Sequence, residues 1–520
     1  MMGGRLLNYG YVLILLVSFS KTGQADYEIE YVHTFLNPSI LPTADEDLFG
    51  YGNAWANGAI FISAREADVG ASNAGVLYQY QYPSGEYIRT IENPTPEAND
   101  SFGSFLKIIG DTVWVGTQLD NTLGTDAGVV YVYDIESGSP INTIYSPNPT
   151  VGGRFGFPIL EDGEDVLVGA IGDSVDDIAS GAVYRVDPET GAVLQTYTNP
   201  SPATGDWFGF GIDTLDCEVL ISSRFDVDDG TGEGTAYLFD IDGNLLNSFP
   251  NPSSGVNEGY FAVALLNDKV VVGAVDNDDM AVNSGVVRVF DKTTGDLLRS
   301  IYHPDNTANA RFGILTHLGT DLIVGAPASS GGFVAGGAFV VSPETGDFLG
   351  EFFNPNSVVR DNFGQPVTVD GEHVLISAWD SSPTGIHSGA AYLFSATTDE
   401  EFIPIDLPPS APVVRISPGT PDTLDDLTCV IDVDSIDPEC AFVTYTFEWY
   451  RNGALVAGAT DSIIPSSDTA WGDFFQCVVI PNDGEIDGPP GVTDVVIVGN
   501  SAERPTAVEN WALYNWSPAR

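Results

Sequence analysis

Residues 148–198 read NPTVGGRFGFPILEDGEDVLVGAIGDSVDDIASGAVYRVDPETGAVLQTYT, and nearly the same sentence recurs seven times along the chain. Its fixed words are an Asn-Pro step, a Phe-Gly pair, a Val-Gly-Ala run, a Ser-Gly step, and a strand-like run closed by a Thr-Gly turn. The phenylalanines of Phe-Gly, or their equivalents, fall at Phe49, Phe102, Phe155, Phe208, Phe261, Phe312 and Phe363, which spaces them by 53, 53, 53, 53, 51 and 51 residues. A period of that length means a closed or stacked array of one supersecondary unit.

Each copy reads as four short strands. The first follows Phe-Gly (FLKIIG), and the second is the apolar run before Gly-Ala (TVWVGT, VLVGA, VVVGA, LIVGA). The third follows Ser-Gly (GVVYVYD, GAVYRVD, GVVRVFD), and the fourth precedes the next Asn-Pro (YIRTI, INTI, LLRSI). Turn chemistry separates them: Asn57-Gly58, Gly110-Asp111 and Asp370-Gly371 between the first two strands, Thr190-Gly191, Thr294-Gly295 and Thr345-Gly346 between the last two. Helix-period patterns are missing. Four antiparallel strands repeated seven times predict an all-β chain, a seven-bladed β-propeller over residues 26–407. One strand of the fourth type, residues 27–36, precedes the first repeat and is expected to complete blade seven and close the ring.

Composition narrows the partners. The 520 residues are 43% hydrophobic, enough for a real core, and 18 basic against 73 acidic residues give a formal charge of -55. Such a surface repels a phosphate backbone or an anionic membrane at long range, so nucleic acid is not the expected partner. The acid itself has two readings, a solubilising surface or a set of sites for divalent cations and basic partners. At the N-terminus Arg5, the apolar run Tyr11–Phe19 and a polar stretch ending at Ala25 have the layout of a secretory signal peptide, residues 1–25. A membrane anchor needs about 20 apolar residues. No later segment reaches that length, so the mature protein is expected to be secreted, extracellular or held at a cell surface. The four cysteines, Cys217, Cys429, Cys440 and Cys477, allow three complete pairings.

Phe-Gly followed some fifteen residues later by Val-Gly-Ala, as at Phe155–Ala170 and Phe312–Ala326, resembles the FG-GAP repeats of the integrin alpha-subunit propeller and its bacterial relatives. The resemblance spans about residues 27–407 and implies an extracellular propeller used for adhesion or ligand binding. Family members often carry a calcium loop between the first and second strands. Here that connection is a hairpin such as Leu266-Asn267-Asp268-Lys269, too short to wrap an ion.

Acids gather instead between the second and third strands: Asp173, Asp176 and Asp177 in blade three, Asp226, Asp228 and Asp229 in blade four, Asp276, Asp278 and Asp279 in blade five. They predict an acidic rim suited to calcium or to a basic ligand, or else merely a solvated one. Asp47, Asp100, Asp206 and Asp361, each two residues before its Phe, are expected on the same face. Trp207, Trp379 and Asp380 belong to that face too, the indoles placed either to stack on a sugar or peptide or to pack between blades.

Residues 408–412 form a Pro-rich linker, followed by short strands over 413–499 and a tail, 500–520, without an apolar anchor. Cys429, Trp449 and Cys477 echo the immunoglobulin arrangement of two sheets packed on a tryptophan, and the stretch from Tyr445 to Val479 resembles the Ig-like modules beside repeats in bacterial surface proteins. That resemblance implies a Cys429–Cys477 disulfide. Trp449 lies 20 residues after Cys429, further than in antibody domains, and Phe475 stands where a corner tyrosine would be. Asp432, Asp434, Asp437 and Asp483 read as a calcium set or as a solvated turn.

No zinc motif, phosphate-cradling loop or nucleophile motif is present, and the five histidines are scattered. The residues favour a non-catalytic extracellular binding or adhesion protein with a protein or glycan ligand, calcium its one candidate cofactor. The alternative is a secreted carbohydrate-active or other hydrolytic enzyme with a carboxylate pair on the propeller face.

Overall fold

The computed structural model describes residues 27–38, 47–56, 58–175, 179–226, 234–252, 258–327, 336–356, 361–382, 388–398, 408–435, 437, 443–484 and 486–500. Residues 1–25, Asp176, Asp177, Asp228, Asp229, Cys440 and 501–520 lie outside them. The chain divides into two compact units, up to residue 402 and from residue 403. Both are built of strands; the described residues hold one short 3-10 turn, Ser466–Asp468, and no helix long and apolar enough to cross a membrane.

In the first unit each repeat folds into one antiparallel sheet. The stretch quoted above gives Phe155–Asp162, Asp165–Ala170, Ala182–Val186 and Val193–Thr198, hydrogen-bonded in that order. The second strand is buried on both faces, which is why it is written as a continuous apolar run, while the fourth is half exposed and alternates. Among the described residues there are seven such four-stranded sheets, numbered here one to seven from the N-terminus. In sheet seven the fourth strand is Glu28–Leu36, paired antiparallel with Ala390–Thr397. The first strands touch one another in sequence, sheet one to two and onward to seven, and that of sheet seven touches that of sheet one. This is a β-propeller, its first strands innermost.

The fixed words are the joints between sheets. The Ser-Gly glycine of one sheet forms a parallel bridge with the Phe-Gly phenylalanine of the next, at Gly128 with Phe155, Gly181 with Phe208 and Gly285 with Phe312; Gly389 with Phe49 joins the last sheet to the first. A Cβ on Gly181, whose φ is 89°, would sit 2.1 Å from the Phe208 carbonyl oxygen, so no larger residue fits. The Val-Gly-Ala glycine meets the following Phe-Gly glycine in the same way: a Cβ on Gly273 would lie 1.8 Å from the Gly313 oxygen. Sheets one, four and seven carry Ser63, Ser222 and Ser377 there, and the Ser63 hydroxyl donates to the Gly103 carbonyl at 2.8 Å.

Sheet five corrects the alignment of the repeats. Tyr260, not Phe261, takes the buried phenylalanine position, with its backbone nitrogen 2.8 Å from where a Gly234 Cβ would be. Phe261 takes the glycine position, its N–H donating to the Gly273 carbonyl as Gly313 donates to Gly325. The true spacings around it are therefore 52 and 52, from 208 to 260 and from 260 to 312. Outer strands are tied laterally by side chains: Arg89 donates to the Glu136 carbonyl at 2.7 Å, Asn142 to Glu189 at 3.1 Å, Gln195 to Asp242 at 3.0 Å and Asn247 to Lys292 at 3.0 Å. Each reaches the last turn of the following sheet.

The second unit packs two antiparallel sheets on one core. Val413–Ser417, Leu427–Val433 and Ile463–Ile464 form one; Ala454–Leu455, Thr444–Arg451, Phe474–Asn482, Gly491–Val492 and Val496–Ile497 form the other. Cys429 and Cys477 are disulfide-bonded between them, with Cα atoms 6.2 Å apart. Trp449 lies fully buried beside the bridge, and its indole N–H donates to the Asp461 carbonyl at 2.9 Å.

Candidate functional site

In every sheet the second strand ends, and the first begins, at one end of the propeller, so the acids, tryptophans and arginines flanking those strands share a loop face. Many of the acids are built into its floor. The asparagine of Asn-Pro donates to the carboxylate seven residues on, Asn93 to Asp100 at 2.9 Å and Asn199 to Asp206 at 2.8 Å; Asn354 holds Asp361 likewise, and Asn37 holds Asp47 at 2.9 Å. All four carboxylates are at least nine-tenths buried. They brace the turn between sheets and do not form the expected rim. Burial pushes the Asp100 carboxyl up to about 6, against the lowering effect of the Glu97 amide; the Asp120 charge adds to the rise.

Asp173 and Asp226 also point inward. Each accepts the hydroxyl of the tyrosine eleven residues later, Tyr184 at 2.7 Å and Tyr237 at 2.6 Å, as Asp120 accepts Tyr131 at 2.9 Å. Asn148 donates to Asp173 as well, at 2.7 Å, and burial raises this carboxyl above its ordinary range. In sheet five the corresponding position is Asn277, and Arg288 replaces the tyrosine. The three acids there diverge: Asp276 binds Arg224 and Arg311, Asp278 accepts the Asn283 amide at 2.6 Å, and Asp279 pairs with Arg288 at 2.7 Å. Among the described residues no three acids, histidines or cysteines converge as a cation would require. In the second unit Asp432 pairs with Arg415 at 2.9 Å and Asp483 accepts the Ile486 amide at 2.7 Å.

What the loop face does gather is arginine and aromatic rings. The residue just before the Phe position is Arg154, Trp207 and Arg311 in sheets three, four and six, all with φ near +55°. The Arg154 guanidinium lies 5.5 Å over the Trp207 ring. Trp207 in turn stands 5.2 Å from Phe225, edge to face, and runs parallel to Phe210 at 6.3 Å. Arg224, the first residue after its sheet's second strand, lies over Phe210, Phe225 and Phe261 at 4.6, 4.9 and 5.1 Å. Its guanidinium reaches Asp276 at 3.2 Å, and Arg311 takes the other Asp276 oxygen at 2.9 Å. Burial pushes the Arg224 pKa down, with the Asp276 charge opposing. From there a row of half-buried rings continues along the innermost strands: Phe261 to Phe210 at 5.1 Å, Phe210 to Phe157 at 5.6 Å and Phe157 to Phe105 at 5.8 Å.

Trp379 belongs to a separate, smaller sector formed by sheets seven and one. It packs 5.7 Å from Tyr51, over which Arg65 stacks at 3.7 Å, and Asp380 accepts a hydrogen bond from Asn362 at 3.2 Å. The two tryptophans are thus both on the loop face but do not form one platform. At the other end of the innermost strands Asp213 accepts from the Leu265 amide at 2.6 Å and pairs with His317 at 2.7 Å, bridging sheets four, five and six. Sequence reasoning missed the arginines. The signal was there in Arg154-Phe155 and Arg311-Phe312, basic residues set beside a fixed word in a chain with four acids to every base.

No curated protein matches the chain by sequence. Two solved structures are similar in fold: the WD40 β-propeller domain of Doa1, at 11% identity over 72% of this chain and 98% of that one, and the Neurospora crassa Pan2 WD40 domain, at 15% identity over 72% and 97%. Both give a TM-score of 0.44. The FG-GAP repeat family model matches residues 355–394, which span the Phe-Gly joint and the first three strands of sheet seven. That match falls on one copy of a repeat whose joints recur around the ring: the chain is a β-propeller that carries an FG-GAP repeat at residues 355–394.

Proposed function

We propose that this protein is an exported, non-catalytic binding or adhesion protein: a seven-bladed propeller that presents its loop face to an extracellular protein or glycan, followed by an Ig-like sandwich. The observation that carries the reading is the continuous cluster Arg154, Trp207, Phe210, Phe225, Arg224, Phe261, Asp276 and Arg311 on the inner rim of blades three to six. Half-buried aromatic and arginine side chains held by their neighbours are the composition of interface hot spots. A fold alone assigns no function, and the weight here lies on these side chains.

The test is a glycan and extracellular-peptide array probed with the full chain, repeated with Trp207→Ala and, as a change at the opposite end of the innermost strands, His317→Gln. Binding that Trp207→Ala removes and His317→Gln leaves supports the proposal. An array without a binder, or a binder indifferent to Trp207→Ala, overturns it. Melting the chain with added calcium and with a chelator tests separately whether calcium is a ligand, since a ligand that binds only the folded state raises the melting temperature by mass action.

A further inference from the structure

We infer that the ligand taken by the rim of sheets three to six is a glycan carrying a carboxylated sugar, with the ring seated on Trp207 and the carboxylate on Arg154. This rests on the binding function proposed above and names the chemistry of its ligand. Three observations lead to it. First, Arg154 has no ion-pair partner among the described residues, in a chain with 73 acids to 18 bases. Its neighbours Arg224 and Arg311 share one carboxylate, Asp276, so of the three guanidinium groups on this rim two are held by a single acid and the third by none among the described residues. A planar guanidinium is the group that takes a carboxylate through two parallel N–H···O bonds.

Second, Trp207 is half-buried and braced by Phe225 and Phe210, which fixes the plane of the indole beside that guanidinium. A rigid ring of this kind offers apolar surface at little entropic cost to the C–H face of a pyranose. Third, the backbone position is unusual for such side chains. The residue before the Phe position is left-handed in six sheets, and Leu48, Ser101 and Asn362 occupy it in the others of the six. Asparagine meets that conformation with the least strain, whereas a bulky side chain there costs of order 1 kcal/mol. Arg154, Trp207 and Arg311, and Leu48 in sheet one, therefore carry strain that the fold does not require, and the two arginines and the tryptophan do so in one sector.

A sugar is favoured over an acidic peptide because the attraction must be local. With a net charge of -55, a run of carboxylates is repelled before it arrives, while one carboxylate on an otherwise neutral ring is not. The experiment compares a disaccharide ending in glucuronic acid with its glucose-ended counterpart, by saturation-transfer NMR and calorimetry on the full chain. Wild type should bind the acid at least tenfold more tightly. Arg154→Gln should bring the two sugars within twofold of each other, Arg154→Lys should keep part of the preference, and Trp207→Ala should weaken both. Melting temperatures of the variants confirm that they are folded.

Equal affinity of wild type for the two sugars, or a preference that survives Arg154→Gln, overturns the inference. Equal affinity that still depends on Trp207 leaves the binding function standing and removes only the carboxylate. If neither sugar binds, the inference fails and the array decides the function. A glutamate-rich peptide that binds through Arg154 where the sugar does not also overturns it, in favour of a protein partner.

Discussion

Replacing Asp100 with asparagine should change how the propeller responds to pH. The Asp100 carboxylate is fully buried; one oxygen accepts from Asn93 at 2.9 Å and from the Glu97 amide at 2.7 Å, while its other oxygen has no hydrogen-bond partner among the described residues. Burial raises its pKa from 3.8 to about 6. A carboxyl raised on folding binds protons more tightly in the native state than in the unfolded one. Its protonation therefore favours the fold below pH 3.8, and that advantage is lost as pH rises through about 6. A shift of roughly 2 units at 1.36 kcal/mol each makes the charge cost about 3 kcal/mol at pH 7. Asparagine keeps the acceptor for Asn93 and Glu97 and removes the charge. The stability difference between Asp100→Asn and wild type should thus grow by about 2.4 kcal/mol from pH 4 to pH 7. In a unit of this size 1 kcal/mol moves the melting temperature by only about 1 to 2 °C, so the expected change is about 4 °C. The readout is the pH slope of the first calorimetric transition, since the new buried amide N–H₂ shifts both ends of the curve alike. Parallel curves for the two proteins would refute the assignment of a buried, charged Asp100 at neutral pH.

The opposite sign belongs to His317. Burial opposes its charged form, but the hydrogen bond and charge of Asp213 outweigh that and raise its pKa above 6.5. Its contribution is complete below pH 6.5 and lost as pH rises through the raised value, so Asp213→Asn should flatten the melting curve of the propeller between pH 6 and pH 8. Gly273→Ala places a methyl 1.8 Å from the Gly313 oxygen and should destabilise by about 3 kcal/mol, whereas Gly163→Ala, with φ 61° and nothing within 4 Å, should cost about 1 kcal/mol; urea melts of the two decide it. The Cys429–Cys477 bridge closes a loop of 48 residues, for which chain entropy gives about 4 kcal/mol. Cys477→Ser should lower the stability of the second unit by that order and leave the propeller transition in place, as differential calorimetry would report.

The joints of this propeller were legible because they depend on glycine. Where a neighbouring backbone oxygen comes within 2.1 Å of a would-be Cβ, as at Gly181, only glycine survives, and it repeats in the sequence. Sheet five defeated the alignment for the same reason in reverse. Tyrosine fills the buried ring position there, and Phe261, one residue on, mimics it in the wrong register. The acids were harder to place, because a one-letter Asp does not say which way it faces. Prior expectation puts it in water, and that held neither for Asp100 nor for Asp173. The information was present as a spacing: Asn93 to Asp100, Asn199 to Asp206 and Asn354 to Asp361 are each seven apart, and Asp120 to Tyr131, Asp173 to Tyr184 and Asp226 to Tyr237 each eleven. An acid that recurs at fixed distance from an asparagine or a tyrosine is part of the joint, as the glycines are.

That separation changes what the net charge means for binding. Once Asp47, Asp100, Asp173, Asp206, Asp226 and Asp361 are assigned to buried joints, the loop face loses much of the acid the sequence credits to it. The long-range field of the molecule stays negative and keeps polyanions away. Beside Trp207 stands the Arg154 guanidinium, with Arg224 and Arg311 sharing Asp276 further along the same rim, and it is at contact range that we place the choice of ligand. A protein so acidic overall can therefore hold an anionic group, provided the group is small and single. Adding salt, which screens the repulsive field but leaves a desolvated guanidinium contact largely intact, should weaken such binding far less than it weakens a surface ion pair.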